Sequence, residues 1–308
     1  MFQKAKAMFM YCITPVHAGA GQALGVVDNP IQREVHTEHP IVAGSGVKGA
    51  LRHHLWRKWE NGDGERTREL LNRIFGPEAG SNVLHAGAIS FTDAQLVAFP
   101  VRSVKRGFVY ATSPSALARA KRLLELSEVK ADWRIDEMED GHAKLLNPRL
   151  LSEKNLLLES QSFEARIDGD EHGLKRVAED LARFAIPQSG YFRDKLKQDL
   201  VLLSDTDFTW FVKQSTLIEA HVRIDDETGA ADSGGLFYTE NLPPESILLS
   251  AVLATPERTK DDGLQAEAVL KHVENALDGE TVQIGGDATT GRGLVTLSFV
   301  GGESHAQS

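Results

Sequence analysis

One cysteine, Cys12, stands in 308 residues, so no disulfide can form within the chain, and the reducing cytoplasm is the expected compartment. Long apolar runs are missing as well. Nothing approaches the roughly 20 apolar residues that a membrane-spanning helix needs. Near the start, Lys4 and Lys6 interrupt a short mixed segment, and no small-residue cleavage site follows it. The expectation is a soluble protein with no membrane partner. No Cys and His set has zinc-ligand spacing; His36, His39, His53 and His54 are present, but nothing in their spacing fixes a geometry. A nucleophilic triad lacks support, because no Gly-x-Ser-x-Gly elbow occurs. Repeats and low-complexity tracts are absent. Positive charge is also short. The formal net charge of -10 argues against a surface that adheres to nucleic acid in general.

What is present is an ordinary globular composition, 41% hydrophobic and 25% charged, in a chain long enough to bury a substantial core. The charge is uneven. Lys48, Arg52, His53, His54, Arg57 and Lys58 crowd one segment, and Arg102, Lys105 and Arg106 form a second cluster. The acidic surplus lies largely in 134–171 and 219–279. Local basic patches on an acidic body fit a narrow RNA groove better than general adhesion.

Hydrophobic periodicity gives the elements. Residues 5–14 read as a central strand, and a long loop, 15–43, follows. Loops of that length inside a compact domain are usually functional or disordered. Ser45 is placed to cap a helix over about 46–60, with Val47, Leu51, Leu55 and Trp59 on one face. Further helices are expected at about 64–75, 115–126, 172–186 and 264–277, with a short one from Asp205. Strands are expected near 88–92, 108–111, 200–204, 245–254, 280–284 and 294–299. Residues 216–224 alternate and meet 235–239 across the turn Asp226-Glu227-Thr228-Gly229, the pattern of a hairpin. The stretch 127–170 is polar and expected to be irregular. Strands, helices and hairpins in this order predict an α+β sheet architecture, with a ferredoxin-like arrangement as the natural candidate.

Three places carry chemistry. The first is Thr14-Pro15-Val16-His17-Ala18-Gly19-Ala20-Gly21 with Val27-Asp28-Asn29-Pro30-Ile31-Gln32-Arg33-Glu34. Asp28 is suited to act as a general base or to hold a divalent ion beside a phosphodiester, and equally to form an Asx turn. His17 is a candidate acid, base or phosphate contact, or a structural histidine. The second is the helix start Ser45-Gly46-Val47-Lys48-Gly49-Ala50-Leu51-Arg52, where Lys48 and Arg52 suit phosphate or simply form a solvated basic face. The third is Gly285-Gly286-Asp287-Ala288-Thr289-Thr290-Gly291-Arg292-Gly293. It lies between two strands and lacks the helix and Lys-Ser/Thr ending of a P-loop. It reads either as a cradle for a sugar-phosphate backbone or as a long hairpin turn. Tyr238 and Glu240 flank a strand end and read as ordinary residues or as helpers at a site.

In order along the chain, these segments resemble the repeated backbone subunits of type III-B CRISPR (Cmr) effector complexes, the fourth-subunit family within the RAMP superfamily. Ile74-Phe75-Gly76, Phe99-Pro100-Val101-Arg102-Ser103 and Leu236-Phe237-Tyr238-Thr239-Glu240-Asn241-Leu242-Pro243-Pro244 extend the resemblance over nearly the whole chain. It implies a single RRM-like palm, residues 1–308, with inserted segments at about 15–43, 127–170 and 205–244 and a thumb-like β-hairpin. It also implies copies stacked along a guide RNA, beside other Cmr subunits, that cleave a complementary target RNA at regular intervals. A purely structural guide-binding subunit is the alternative. By similarity, Asp28 takes the place of the family's catalytic Asp, with a divalent metal, Mg²⁺, as the expected cofactor. His17, Tyr238 and Glu240 are supporting candidates. Ser45, Lys48, Arg52, Gly285, Gly286, Thr289, Thr290, Gly291 and Arg292 are the expected RNA contacts. The chain departs from the family pattern at Asn241, where an aromatic residue often stands.

Overall fold

The computed structural model describes residues 2–21, 26–60, 62–78, 80–81, 84–259 and 263–301; residues 22–25 of the long expected loop lie outside them. β1 (Lys4–Cys12) is apolar on both faces and therefore central. Its pleat sends Met8, Met10 and Cys12 into one core and Ala7, Phe9 and Tyr11 into the other. Burial raises the Cys12 thiol above its ordinary range, which makes it an inert filler.

A short β2 (Ile41–Val42) precedes α1 (Gly44–Trp59), which buries Val47, Leu51 and Leu55 at the spacing read from the sequence. Ser45 is not its cap. Ala43 holds the cap position with no side-chain bond, and the Gly44 amide donates to Asp93 Oδ1 at 2.7 Å. A Cβ on residue 44 would lie 2.4 Å from the Phe91 carbonyl oxygen, so only glycine lets the helix start this close to the sheet. α2 (Gly64–Phe75) starts on an Asp63 cap and ends at Gly76.

β3 (Ile89–Phe91), β4 (Ala94–Arg102), β5 (Phe108–Thr112) and α3 (Pro114–Leu126) follow. The expectation of an irregular 127–170 is corrected: it carries β6 (His142–Leu145), β7 (Leu151–Ser152), β8 (Asn155–Leu158) and β9 (Gln161–Ile167). These lie towards one edge of the sheet, and in β9 only Phe163 is buried, so the apolar signal is sparse. Next come α4 (Leu174–Ala185), α5 (Tyr191–Asp199), β10 (Leu200–Leu203) and α6 (Asp205–Gln214). The hairpin of β11 (Leu217–Ile224) and β12 (Ala231–Asn241) leads to β13 (Ile247–Ala254), α7 (Ala266–Leu277), β14 (Thr281–Gln283) and β15 (Leu294–Val300).

Among the described residues, 13 strands form one mixed sheet in the order β14-β15-β1-β13-β4-β5-β10-β6-β9-β8-β7, with β2 on β4 and β3 on β13. Helices α1, α2, α6 and α7 bury side chains in one core, and α4, α5 and most of α3 in the other. This is a mixed α/β architecture around one large sheet. The β11–β12 hairpin forms a separate two-stranded sheet with Ile218, Val222, Ile224, Leu236 and Tyr238 exposed. No helix among the described residues is long and apolar enough to cross a membrane.

Candidate functional site

Beyond β1 the backbone is clamped on both sides. Val16 exchanges two 2.9 Å hydrogen bonds with Leu242, just past β12. On the other side, the Gly293 amide donates to Pro15 O at 2.7 Å and the Gly286 amide to His17 O at 2.8 Å. The returning limb pairs with the outgoing one through Ala20 N to Pro30 O and Gln32 N to Ala18 O, both 2.8 Å. That limb also lies along β12. The Asn29 amide donates to Tyr238 O at 3.0 Å, and the Glu240 amide to Asn29 O at 2.9 Å. The opening loop, the hairpin base and the C-terminal Gly-rich loop thus build one surface.

Asp28 is exposed on this surface. Its Oδ2 accepts from the Tyr238 backbone amide at 2.8 Å, and among the described residues its carboxylate has no other partner. The carboxylate is fixed by one bond and otherwise open to a substrate. The Tyr238 side chain is exposed.

His17 is half-buried. Its Nδ1 lies 2.8 Å from the Glu240 carbonyl oxygen; a carbonyl only accepts, so Nδ1 carries the proton and Nε2 the lone pair of the neutral ring. The glycines around it follow from this packing. A Cβ on Gly19 would sit 2.9 Å from Nε2, and one on Gly286 would sit 3.2 Å from Cδ2. Gly285 has φ +87°, and a Cβ there would meet His17 O at 2.3 Å. These glycines let two loops close over the histidine.

Glu240 is buried, and its carboxylate is fully engaged by Ile31, Arg33 and Thr216. In the Gly285–Gly293 loop, Thr289, Thr290 and Gly291 are exposed, and the Thr290 hydroxyl donates to Asp287 O at 2.8 Å. Arg292 is half-buried and ion-paired with Glu219 on β11, which also accepts from Asn241 Nδ2 at 3.2 Å. Ser45 is exposed on the first turn of α1. Lys48 is half-buried on that helix, its pKa lowered by burial and then by the neighbouring Arg52 charge. Arg52 turns towards α2, donating to Asn72 Oδ1 at 2.7 Å and pairing with Glu78 at 3.3 Å.

Sequence reasoning missed the connector between these groups. Gln32 donates from Nε2 to Gly19 O at 3.0 Å and accepts at Oε1 from the Ala43 amide at 2.8 Å. One side chain therefore joins the opening loop to the start of α1. No local pattern around Gln32 signals this, since both partners are set by the tertiary fold.

Among the described residues, no three His, Cys, Asp or Glu side chains are grouped to hold a metal ion. A cage made of protein ligands is therefore not built here. Mg²⁺, however, is commonly bound by one or two carboxylates together with substrate phosphates and water. The exposed Asp28 carboxylate fits that donor set; the engaged Glu240 does not.

The RAMP superfamily pattern matches residues 9–296. The chain belongs to the RAMP superfamily. Within it, the chain is 38% identical over 299 residues to the CRISPR system Cmr endoribonuclease Cmr4 of Pyrococcus furiosus, covering 96% of each. The crystal structure of oligomeric Cmr4 from the same organism superposes with a TM-score of 0.73 at 31% identity, over 96% of this chain and 98% of that one. A chain of the type III-B Cmr-beta complex bound to cognate target RNA shares the fold, with a TM-score of 0.72 at 21% identity over 97% and 98% of the two chains.

Proposed function

We propose that the chain is a repeated backbone subunit of a type III-B CRISPR RNA-guided complex, binding guide RNA and cleaving complementary target RNA at regular intervals. In this reading the whole chain is one RRM-like palm with inserted segments, and the β11–β12 hairpin is its thumb. The kinship with an endoribonuclease of the Cmr system, and with a Cmr4 that crystallises as an oligomer, supports it. So does the one observation that carries the chemistry: an exposed carboxylate, Asp28, held by a backbone bond to the base of the hairpin.

Cleavage of RNA by its own 2′-hydroxyl needs a base, neutralisation of the phosphate, and in-line geometry. Asp28 takes the 2′-hydroxyl proton as that oxygen attacks the adjacent phosphorus; the 5′-oxygen departs and takes a proton from water, leaving a 2′,3′-cyclic phosphate and a 5′-hydroxyl. Asp28, together with a substrate phosphate, would hold a divalent ion, Mg²⁺, which would supply charge neutralisation. His17, with its ring fixed by the Glu240 carbonyl, is a supporting group. The hairpin beside Asp28 distorts the duplex to give the in-line approach. Lys48, helped by Ser45, Arg52 and the Gly285–Gly293 loop, holds guide phosphates.

The test is the assembled complex with guide-matched RNA, with and without Mg²⁺ and with Asp28→Ala. Loss of a general base lowers cleavage by about 10²- to 10⁴-fold, so evenly spaced products should vanish while assembly and guide binding persist. Normal cleavage by the variant would remove Asp28 from the chemistry and leave a purely structural subunit. Cleavage that survives chelation of Mg²⁺ would remove the metal.

A further inference from the structure

Glu240 is the most heavily bonded carboxylate at the site. Its side chain is 8% exposed. Oε2 accepts from the Ile31 amide at 3.0 Å; Oε1 accepts from Arg33 at 2.5 Å and from the Thr216 hydroxyl at 2.8 Å. The peptide groups on either side add two more bonds, the amide to Asn29 O and the carbonyl from His17 Nδ1. Arg33 extends the line, donating to Val212 O at the end of α6 at 3.0 Å and to Glu38 O at 2.8 Å. One residue therefore meets both limbs of the opening loop, the residue just before β11 and, through Arg33, a core helix.

We propose that Glu240 is a positioning residue which, with Arg33 and Thr216, fixes the Asp28 carboxylate and the His17 ring relative to the hairpin. This rests on Asp28 as the catalytic group. The bond from Tyr238 makes Asp28 follow β12, while the bonds to Ile31 and Asn29 hold the limb that carries it in register with the same strand. A proton-transfer group needs a lone pair within reach of the substrate. Glu240 is buried and both its oxygens are occupied by the fold's own donors. Its negative charge is matched by Arg33 rather than offered to a metal or a hydroxyl.

The experiment compares Glu240→Gln, Glu240→Ala and Arg33→Lys in the assembled complex under single-turnover conditions. It also follows amide exchange at Ile31 and Tyr238. Misplacing a reacting group by a fraction of the site's width costs about 10- to 100-fold, so Glu240→Ala should lose that much rate with guide binding intact. Glu240→Gln keeps the shape but only one acceptor oxygen, serving either Ile31 or Arg33 and Thr216, and should keep part of the rate that alanine loses, with an unchanged pH profile. Arg33→Lys keeps the charge but cannot span Glu240 and Val212 together, and it should slow cleavage even if the alanine variant fails to fold. Faster exchange of Ile31 and Tyr238 in these variants supports the proposal whatever Asp28→Ala does, which separates this reading from the catalytic one. A Glu240→Gln variant as inactive as alanine, with one limb of the pH profile gone, would overturn it in favour of proton transfer. Native rate and native exchange in both Glu240→Ala and Arg33→Lys would overturn it outright.

Discussion

Lys48 carries an unusual burden for a surface cation. It is half-buried, its charge faces that of Arg52 one turn along α1, and among the described residues no carboxylate pairs with it. Burial and like-charge repulsion both push its pKa down. A phosphate oxygen arriving at the helix start offsets both with its opposite charge, so Lys48 is suited to an anion. Arg52 is different, because Asn72 and Glu78 already engage it. Lys48→Ala should therefore weaken guide-RNA binding and reduce the salt slope of log affinity by about 0.7, the value for one phosphate on a single strand. Arg52→Ala should change the slope less and lower the unfolding midpoint more. Binding titrations across a salt series decide it: an unchanged slope in Lys48→Ala would take that residue off the phosphate.

The element that shows how the site is assembled is the loop between β14 and β15. Gly285 and Gly291 both have positive φ, +87° and +79°, but only Gly285 is crowded, with the His17 carbonyl oxygen 2.3 Å from a would-be Cβ. Gly291→Ala should cost about 1 kcal/mol of stability, from backbone strain alone. Gly285→Ala adds a clash with backbone and should cost more, about 2–3 kcal/mol, and should also slow cleavage by shifting His17. Denaturant unfolding of the two variants measures the difference; equal losses would show that the loop does not bear on His17. The same loop marks what a sequence can disclose. Its glycines were legible as a special backbone, but that they close over a histidine 268 positions earlier was not. β1, α1 and the β11–β12 hairpin were legible because their apolar periods are clean. β4 was hidden by Pro100, which sits past the last residue paired with β13 and so gives up no bond on that side. Asp28, His17 and Glu240 were legible as candidate chemistry. Glu240's task was not, since its partners Ile31 and Arg33 lie over 200 residues away and enter only through the register of a separate hairpin.

Two groups, the half-buried Glu245 and the buried His39, pull the pH dependence of stability in opposite directions. Glu245, between β12 and β13, accepts from the phenols of Tyr11 on β1 and Tyr110 on β5, at 2.9 Å for the latter. Burial pushes its pKa up to about 7. The folded state therefore holds a proton that the unfolded chain has released, and stability falls as pH rises from about 4.5 to about 7. His39 joins the opening loop to α3 and α6: Arg119 donates to its Nδ1 at 3.1 Å, so Nε2 carries the proton and donates to Thr209 at 3.0 Å. Burial first, and then the Arg119 charge, lower its pKa to about 4. Here the unfolded chain binds the proton, and stability rises with pH from about 4 to about 6.5. Between pH 5 and 6.5 the two slopes, each at most about 1.4 kcal/mol per pH unit, offset one another. Glu245→Gln should leave the His39 slope exposed, so that the variant gains stability with pH across this window. His39→Asn should do the reverse. Urea unfolding at half-unit steps from pH 5 to 6.5 reads both slopes. Parallel curves for the native protein and Glu245→Gln would mean that Glu245 holds no extra proton between its two tyrosines.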